Sequence, residues 1–201
     1  MHSNLLIVFA KNPIKGIVKT RLAKTVGDDA AFEVYRRLLT ITKEAAESKS
    51  NWDLAIYFTD HIDENWNSDS AYVQVNGDLG DKMKDAFQRS FESGYKRVIG
   101  IGTDLAEMNS EILSKAFNSI NFTEFVFGPA SDGGYYLLGM NQFIECIFDD
   151  KPWSTESLLD ASLQELEKMK ISHFLLPTLN DIDTLEDLKK SPISAEFEKY
   201  Y

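Results

Sequence analysis

Short apolar runs alternate along the chain with longer amphipathic stretches, and this alternation predicts an α/β protein. The apolar runs predict seven strands, at residues 5–10, 54–59, 72–75, 97–102, 124–127, 135–140 and 174–176. Apolar positions spaced by three and four residues predict the main helices, at residues 28–48, 81–94, 110–120 and 154–170. Because strands alternate with long helices, we expect a mostly parallel sheet that is covered on both faces.

The ends of these elements are expected at polar and glycine-rich positions. A turn with two glycines is expected between Asn76 and Gly80, and a short helix near Thr184 and another in the tail from Ser194 complete the prediction. The expected N-caps are polar residues at the start of each helix, namely Asp28 or Asp29, Ser110, and Ser154 or Thr155.

The bulk composition narrows the classes of protein that fit. The 201 residues suit one domain spanning 1–201, with a core at about 4–190 and a tail at 191–201. A net charge of −11 argues against a nucleic-acid binder. The apolar run near the N-terminus is too short for a signal peptide, and no window approaches the roughly 20 apolar residues of a membrane span. The expectation is therefore a cytoplasmic protein.

Positive charge is concentrated in the loop after the first strand. The first 27 residues contain five bases and no acid, although the whole chain has 32 acids and 21 bases. A cationic loop with Pro13 and Gly16 that follows a strand suits a phosphate, and a solvated basic loop is the alternative. The loop is not a Walker-type P-loop, because Val18 stands where a glycine must precede Lys19.

Acidic residues follow the later strands and could share a site with this loop. The carboxyl ends of parallel strands meet at one edge of a sheet, where ligands bind in α/β folds. Asp104 follows the fourth strand and could hold Mg²⁺ through oxygen ligands, or cap the next helix. Asp132, with Gly133 and Gly134, could approach a sugar or simply form a tight turn.

Two further motifs leave alternatives open. Asp181 and Asp183 are two residues apart, so both carboxylates could face one metal ion in an extended segment, or one could cap the helix at Leu185. Trp153 stands before a helix, where it could stack on a base or sugar or act as a hydrophobic staple.

Five blocks together resemble the nucleotide-diphospho-sugar transferase-like family, formerly known only as a domain of unknown function. Some members are named as glycosyltransferases of arsenosugar biosynthesis, and the family is similar to the GT-A fold shared with molybdenum cofactor and phospholactate nucleotidyltransferases. The resemblance covers about residues 4–190, and its blocks are F-A-K-x-P-x-x-G-x-V-K-T-R-L from Phe9, G-T-D from Gly102, G-P-A-x-D-G-G-Y-Y-L-L-G from Gly128, P-W-S-T from Pro152 and D-I-D-T from Asp181.

The resemblance implies a GT-A-like three-layer α/β/α fold with a mostly parallel mixed sheet, and it implies a set of site residues. Asp104 and Asp183 would bind Mg²⁺ or Mn²⁺, and Asp104, Asp132 and Lys19 would be catalytic. The residues expected near the nucleotide are Ala10, Lys11, Gly16, Lys19, Arg21, Gln74, Gly77, Gly80, Thr103, Gly133, Gly134 and Trp153. The chain departs from the family pattern at Ala106, where proline is usual, and at Lys82, where arginine is common.

Three functional hypotheses follow. The first is a metal-dependent glycosyltransferase that uses a nucleotide-activated sugar and an unidentified small-molecule acceptor. The second is a nucleotidyltransferase that releases pyrophosphate, and the third is a nucleotide-binding module without turnover. A homo-oligomer is compatible with all three.

Overall fold

The computed structural model describes residues 3–48 and 51–201, and within them a seven-stranded sheet forms the centre of the molecule. The strands are β1 (Asn4–Ala10), β2 (Asp53–Phe58), β3 (Ser70–Val73), β4 (Arg97–Ile101), β5 (Phe125–Pro129), β6 (Tyr135–Met140) and β7 (His173–Leu175). The helices are α1 (Thr20–Val26), α2 (Asp28–Glu47), α3 (Leu79–Glu92), α4 (Ser110–Ser119), α5 (Leu158–Met169) and α6 (Leu185–Lys190). Single 3₁₀ turns occupy Glu145–Ile147, Ser194–Glu196 and Glu198–Tyr200.

The sheet has the strand order β3-β2-β1-β4-β6-β5-β7. All neighbouring pairs are parallel except those of β6, which runs antiparallel to β4 and to β5. The carboxyl ends of β1, β4 and β5 and the start of β6 therefore lie at one edge of the sheet. The predicted mostly parallel mixed sheet is confirmed, and so is the convergence of the predicted loops on that edge.

Helices cover both faces of the sheet, because the strands are apolar on both sides. One face buries Leu6, Ile56 and Ile99 beneath α2 and α4. The other buries Ile7, Tyr57 and Phe127 beneath α3, α5 and the segment that precedes α5. A smaller cluster joins α1, α2, α6 and the tail around Leu22, Val34, Leu38, Leu188 and Phe197. The three-layer α/β/α arrangement is the one that the family resemblance implies.

Several helix boundaries differ from the predictions. Residues 20–26 form α1, where a loop was expected, and Gly27 rather than an aspartate stands before α2. Asn109 caps α4 through its side chain, so the predicted cap Ser110 is the first helical residue. Residues 153–157 form turns and a bend, and α5 begins only at Leu158.

Among the residues that the structure describes, no helix combines the length and the apolar character that crossing a bilayer requires.

Candidate active site

A cleft of about 470 Å³ opens at the carboxyl edge of β1 and β4. Its floor is apolar and comes from the central strands, with Phe9, Ile101 and Leu137 among its residues. Its charged lining contains three bases and four acids, namely Lys11, Arg21, Lys82, Asp104, Asp132, Asp181 and Asp183. The cleft thus combines an apolar base with a polar end that carries both signs of charge.

Tyr35 of α2 fixes the start of the basic loop. Its hydroxyl accepts a hydrogen bond from the amide of Lys11 at 3.1 Å and donates to the carbonyl of the same residue at 2.9 Å. The hydroxyl also lies 3.2 Å from Oγ1 of Thr103, which is 3 % exposed and follows β4. Burial raises the pKa of Tyr35, so the hydroxyl keeps its proton and its role as a donor. The loops after β1 and β4 are therefore joined by one buried side chain.

Asn12 fixes the same loop on its other side, a role that no sequence pattern indicated. Its side chain is 2 % exposed and accepts from the amide of Asp60 at 2.8 Å. Its Nδ2 donates to the carbonyl of His61 at 2.8 Å, and the backbone amide of Asn12 donates to Oγ1 of Thr59 at 3.1 Å. A buried amide that uses both ends in this way holds the loop after β1 against the loop after β2.

Lys19 joins two of the predicted metal ligands. Its Nζ lies 2.6 Å from Oδ1 of Asp104 and 3.3 Å from Oδ1 of Asp183. Arg21 binds the other oxygen of Asp183 at 2.5 Å. The Lys19 side chain is only 4 % exposed, whereas Asp104 is 39 % and Asp183 27 % exposed. Lys19 thus reaches the carboxylates from the protein interior, and the two acids and Arg21 face the cleft.

The electrostatics of this cluster favour the charged forms of Lys19 and Asp104. Burial alone would lower the pKa of Lys19, but Asp104 and Asp183 outweigh it and hold that pKa above its ordinary value. Burial would likewise raise the pKa of Asp104, but the Lys19 ammonium outweighs it and holds that pKa below its ordinary value. At neutral pH Lys19 is therefore an ammonium and Asp104 a carboxylate.

A short antiparallel contact brings Asp183 to Asp104. The amide of Ile182 donates to the carbonyl of Asp104 at 3.0 Å, and Leu105 forms an isolated bridge with Asp181. The helix cap is not an aspartate of this motif, since Thr184 caps α6 in a capping box with Asp187. This result removes the capping alternative for Asp181 and Asp183, and both side chains line the cleft.

Asp181 is the acid of the cleft with the most unusual environment. Its Oδ1 is buried and has no hydrogen-bond partner among the described residues. Burial first, and then repulsion from Asp104 and Asp132, raises the pKa of Asp181 to about 7. An uncompensated carboxyl group at this pKa can take up or release a proton near neutrality.

The loop between β5 and β6 carries Asp132 into the cleft. Oδ1 of Asp132 accepts from the amide of Gly134 at 2.9 Å, which fixes the turn. Gly133 has a φ of 87°, and a Cβ there would lie 2.0 Å from the carbonyl oxygen of Glu156. Gly133 is thus required for packing against the chain before α5, while Asp132 and Gly134 line the cleft.

The remaining predicted residues separate into two groups. Gln74 and Trp153 line the cleft, and Nε2 of Gln74 donates to the carbonyl of Tyr57 at 2.9 Å. The residues outside the cleft lining are Ala10, Gly16, Lys19, Gly77, Gly80, Thr103 and Gly133. Gly80 lies in the first turn of α3, where the predicted turn has already ended, and it makes room for Trp153, because a Cβ there would lie 2.4 Å from the indole Nε1.

Asp104 and Asp183 fit a divalent cation by the chemistry of their donors. Carboxylate oxygens are ligands that Mg²⁺ and Mn²⁺ prefer, and Mg²⁺ commonly takes one or two carboxylates together with substrate phosphates and water. Both acids already converge on one cation, the ammonium of Lys19. The part of the chain that the structure describes holds no group of three or more acidic, histidine or cysteine ligands placed for a metal.

Comparison with known structures identifies the class of protein. A provisionally named nucleotide-diphospho-sugar transferase from Desulfovibrio desulfuricans G20 is similar over 100 % of this chain and 99 % of its own, with a TM-score of 0.86 and 27 % identity. The fold is thus that of the nucleotide-diphospho-sugar transferase-like proteins. The chain belongs to the DUF2064 family, described as an uncharacterized protein conserved in bacteria, whose model matches residues 31–155.

More distant structures share the fold alone. A cytidylyltransferase from Leptospira borgpetersenii is 15 % identical, over 100 % of this chain and 90 % of its own, with a TM-score of 0.55. Rv0371C of Mycobacterium tuberculosis H37Rv, in complex with manganese, is 10 % identical over 93 % and 95 % of the two chains, with a TM-score of 0.52. No curated protein matches the sequence.

Proposed function

We propose that this chain is a transferase that moves a sugar from a nucleotide-activated donor to a small-molecule acceptor, with Mg²⁺ or Mn²⁺ held by Asp104 and Asp183. The observation that carries the proposal is the polar end of the cleft. Two carboxylates that face the cleft are backed by the buried Lys19 and flanked by Arg21, and they stand beside an apolar floor. The full-length similarity to the Desulfovibrio protein supports the same reaction class.

Different side chains of the cleft would have different roles in the reaction. Lys11 and Arg21 would bind the diphosphate of the donor, because both line the cleft, Lys11 at the start of the basic loop and Arg21 in α1. A bound divalent cation would supply positive charge that neutralises the departing diphosphate. Asp132 would orient the acceptor hydroxyl and take its proton, since its second carboxylate oxygen is not needed for the turn. Such positioned charge, rather than a covalent nucleophile, would lower the barrier.

Nucleotidyl transfer is the second candidate, and the number of bases in the cleft favours it. Lys11, Arg21 and Lys82 all line the cleft, which suits the charge of a triphosphate. In this reaction an acceptor oxygen attacks the α-phosphorus, the bond from that phosphorus to the bridging oxygen breaks, and pyrophosphate leaves. We also propose that the protein works in the cytoplasm, where nucleotide substrates of both kinds are available.

One panel of substrates separates the candidates. The protein is incubated with nucleoside triphosphates and with nucleotide-sugars, with and without Mg²⁺ or Mn²⁺, and thermal stabilisation and products are measured. Release of a nucleoside diphosphate that depends on an added acceptor supports glycosyl transfer. Release of pyrophosphate supports nucleotidyl transfer and counts against the first choice, and metal-independent binding without turnover indicates a binding module.

The metal assignment has its own test in Asp104→Ala. We expect this variant to lose the metal-dependent activity and to keep the far-ultraviolet circular dichroism of the native protein. The matched control is Asp149→Ala, which removes an acid that pairs with Lys84 outside the cleft. Retention of metal-dependent turnover by Asp104→Ala would show that the metal, if used, binds elsewhere.

A further inference from the structure

The segment 141–157, here called the strap, connects β6 to α5 across one face of the sheet. Because β6 runs antiparallel to β4, it ends at the edge opposite the cleft, and the strap returns the chain to the cleft. On the way Ile147 and Phe148 enter the hydrophobic core, where Phe148 packs on Phe87 of α3 with ring centroids 5.4 Å apart. The last residues of the strap, including Trp153, line the cleft.

The buried ammonium of Lys151 binds two backbone carbonyls of the strap. Its side chain is 5 % exposed, and its ammonium donates to the carbonyl of Cys146 at 2.7 Å and to that of Asp149 at 3.1 Å. It also forms an ion pair with Glu165 of α5. An ammonium has three protons to donate, and here it has three acceptors. Removing any of these partners would leave a buried charge uncompensated, which costs free energy. Lys151 therefore fixes the fold of the strap and its position on α5.

Trp153 follows this fixed point by two residues. The backbone amide of Trp153 donates to the carbonyl of Lys151 at 2.8 Å, so the backbone that bears the indole is tied to Lys151. The indole meets Tyr135 edge-on, at 6.3 Å between centroids and 76° between planes. On its other side it lies against Gly80, where a methyl group would not fit. The indole is therefore held in one orientation as a wall of the cleft.

We propose that Lys151 is a positioning residue for substrate binding, and that it acts through Trp153 without touching the substrate. The inference rests on the proposed function, in which the cleft binds a nucleotide or nucleotide-sugar. A fixed indole offers its face to the ring of that donor, and stacking on an aromatic side chain contributes to affinity only if the ring is already in place. Lys151 and Glu165 hold it in place.

The experiment follows the indole and the affinity separately. The chain has three tryptophans, so protein labelled with 5-fluorotryptophan gives three ¹⁹F resonances, and Trp153→Phe identifies the one of interest. The binding probe is whichever of ATP, CTP, GTP, UTP, UDP-glucose and GDP-mannose, with Mg²⁺, most stabilises the native protein in a thermal shift. Its Kd is then measured by calorimetry for each variant.

We expect Lys151→Met to shift the Trp153 resonance, to leave the resonances of Trp52 and Trp66 in place, and to raise the Kd about tenfold. Lys151→Arg, which keeps the charge, should recover part of both effects. The matched control is Lys84→Met, because Lys84 also binds the strap, through Glu145 and Asp149, but by ion pairs that are more exposed. It should change neither quantity.

Any result other than these contradicts part of the inference. An unmoved Trp153 resonance in Lys151→Met, or an unchanged Kd with a moved resonance, overturns the positioning role, and so does an equal effect of Lys84→Met. If Lys151→Met does not fold, Glu165→Gln replaces it and should move both quantities in the same direction by less. A native protein that binds no probe overturns the proposed function and the substrate part of this inference, while the spectra still show whether Lys151 sets the indole.

Discussion

Removing the ammonium of Lys19 is the perturbation that most directly tests the charge cluster. Lys19→Met keeps a side chain of similar length but leaves Asp104 and Asp183 facing each other without the cation between them. Arg21 still binds one oxygen of Asp183 from the exposed side. The variant therefore isolates the contribution of the buried cation.

The structure sets the size of the effect. At an effective dielectric constant of about 20, two charges 2.6 Å apart attract by about 6 kcal/mol. Much of this offsets the desolvation of an ammonium that is only 4 % exposed, and removing one partner of a buried pair costs about 3–5 kcal/mol. Because Asp104 is 39 % exposed and water can replace part of the lost contact, we expect a loss of about 2–3 kcal/mol in the free energy of unfolding.

The assay is urea unfolding followed by circular dichroism at several pH values. The pKa of Asp104 is held low in the native protein, so its stabilising contribution is present above its ordinary value of 3.8 and is lost as the pH falls further. The pKa of Lys19 is raised above 10.5, so its contribution is present below that value and is lost in more alkaline solution. The difference between native and variant should be flat between about pH 5 and 9 and shrink below about pH 4.

A double-variant cycle with Asp104→Asn refines the result. If the two groups act on each other, the double variant should be less destabilised than the sum of the single variants. A loss below about 0.5 kcal/mol in Lys19→Met, or a cycle that is additive, would refute the assignment of Lys19 as the counter-ion that holds the cluster together.

Three further predictions rest on other parts of the cleft. Asp181→Asn should raise the free energy of unfolding by about 1–2 kcal/mol at pH 8 and leave it unchanged near pH 3. The reason is that an acid whose pKa is raised to about 7 costs stability only as the pH rises from about 4 towards 7. Urea unfolding at both pH values checks this, and a difference that does not depend on pH contradicts it. Gly80→Ala should cost about 1–3 kcal/mol in the same assay, since its methyl group meets the indole of Trp153, whereas Gly102→Ala, with no atom within 4 Å, should cost much less. Tyr35→Phe should lose about 1–2 kcal/mol and bind nucleotide more weakly, because the first loop loses its hydroxyl anchor; calorimetry that shows native affinity would argue against that anchoring role.

The sequence predicts an element well where an apolar run stands between turn residues. The predicted strand at 135–140 coincides with β6, because Gly133 and Gly134 end the turn before it and polar residues follow it. The short helix α1 was missed for a physical reason. Its seven residues are too few to show a helical period, and it starts after Lys19, whose left-handed backbone (φ 51°) is held by contacts that are distant in sequence.

Most charged residues of the cleft were predicted from their places after the strands, but Lys82 was not, and neither were the environments of these residues. The local sequence does not distinguish Asp181 from Asp183. In the structure, the pairing of Leu105 with Asp181 goes with a contact of Asp183 with Lys19, and Oδ1 of Asp181 has no hydrogen-bond partner among the described residues. Asn12 and Lys151 are polar residues in polar surroundings along the chain, and only the folded structure buries them. Burial of single polar side chains depends on tertiary packing, which no local pattern records.

The contact between Arg21 and Asp183 spans 162 positions of the chain. Such a contact is not held in the unfolded chain, because the entropy of closing a long loop opposes it there. A ligand that needs both residues therefore binds the folded chain and not the unfolded one, and it stabilises the chain against global unfolding. Ligand concentration should then protect the slowest-exchanging amides of the central sheet as strongly as those of the cleft itself.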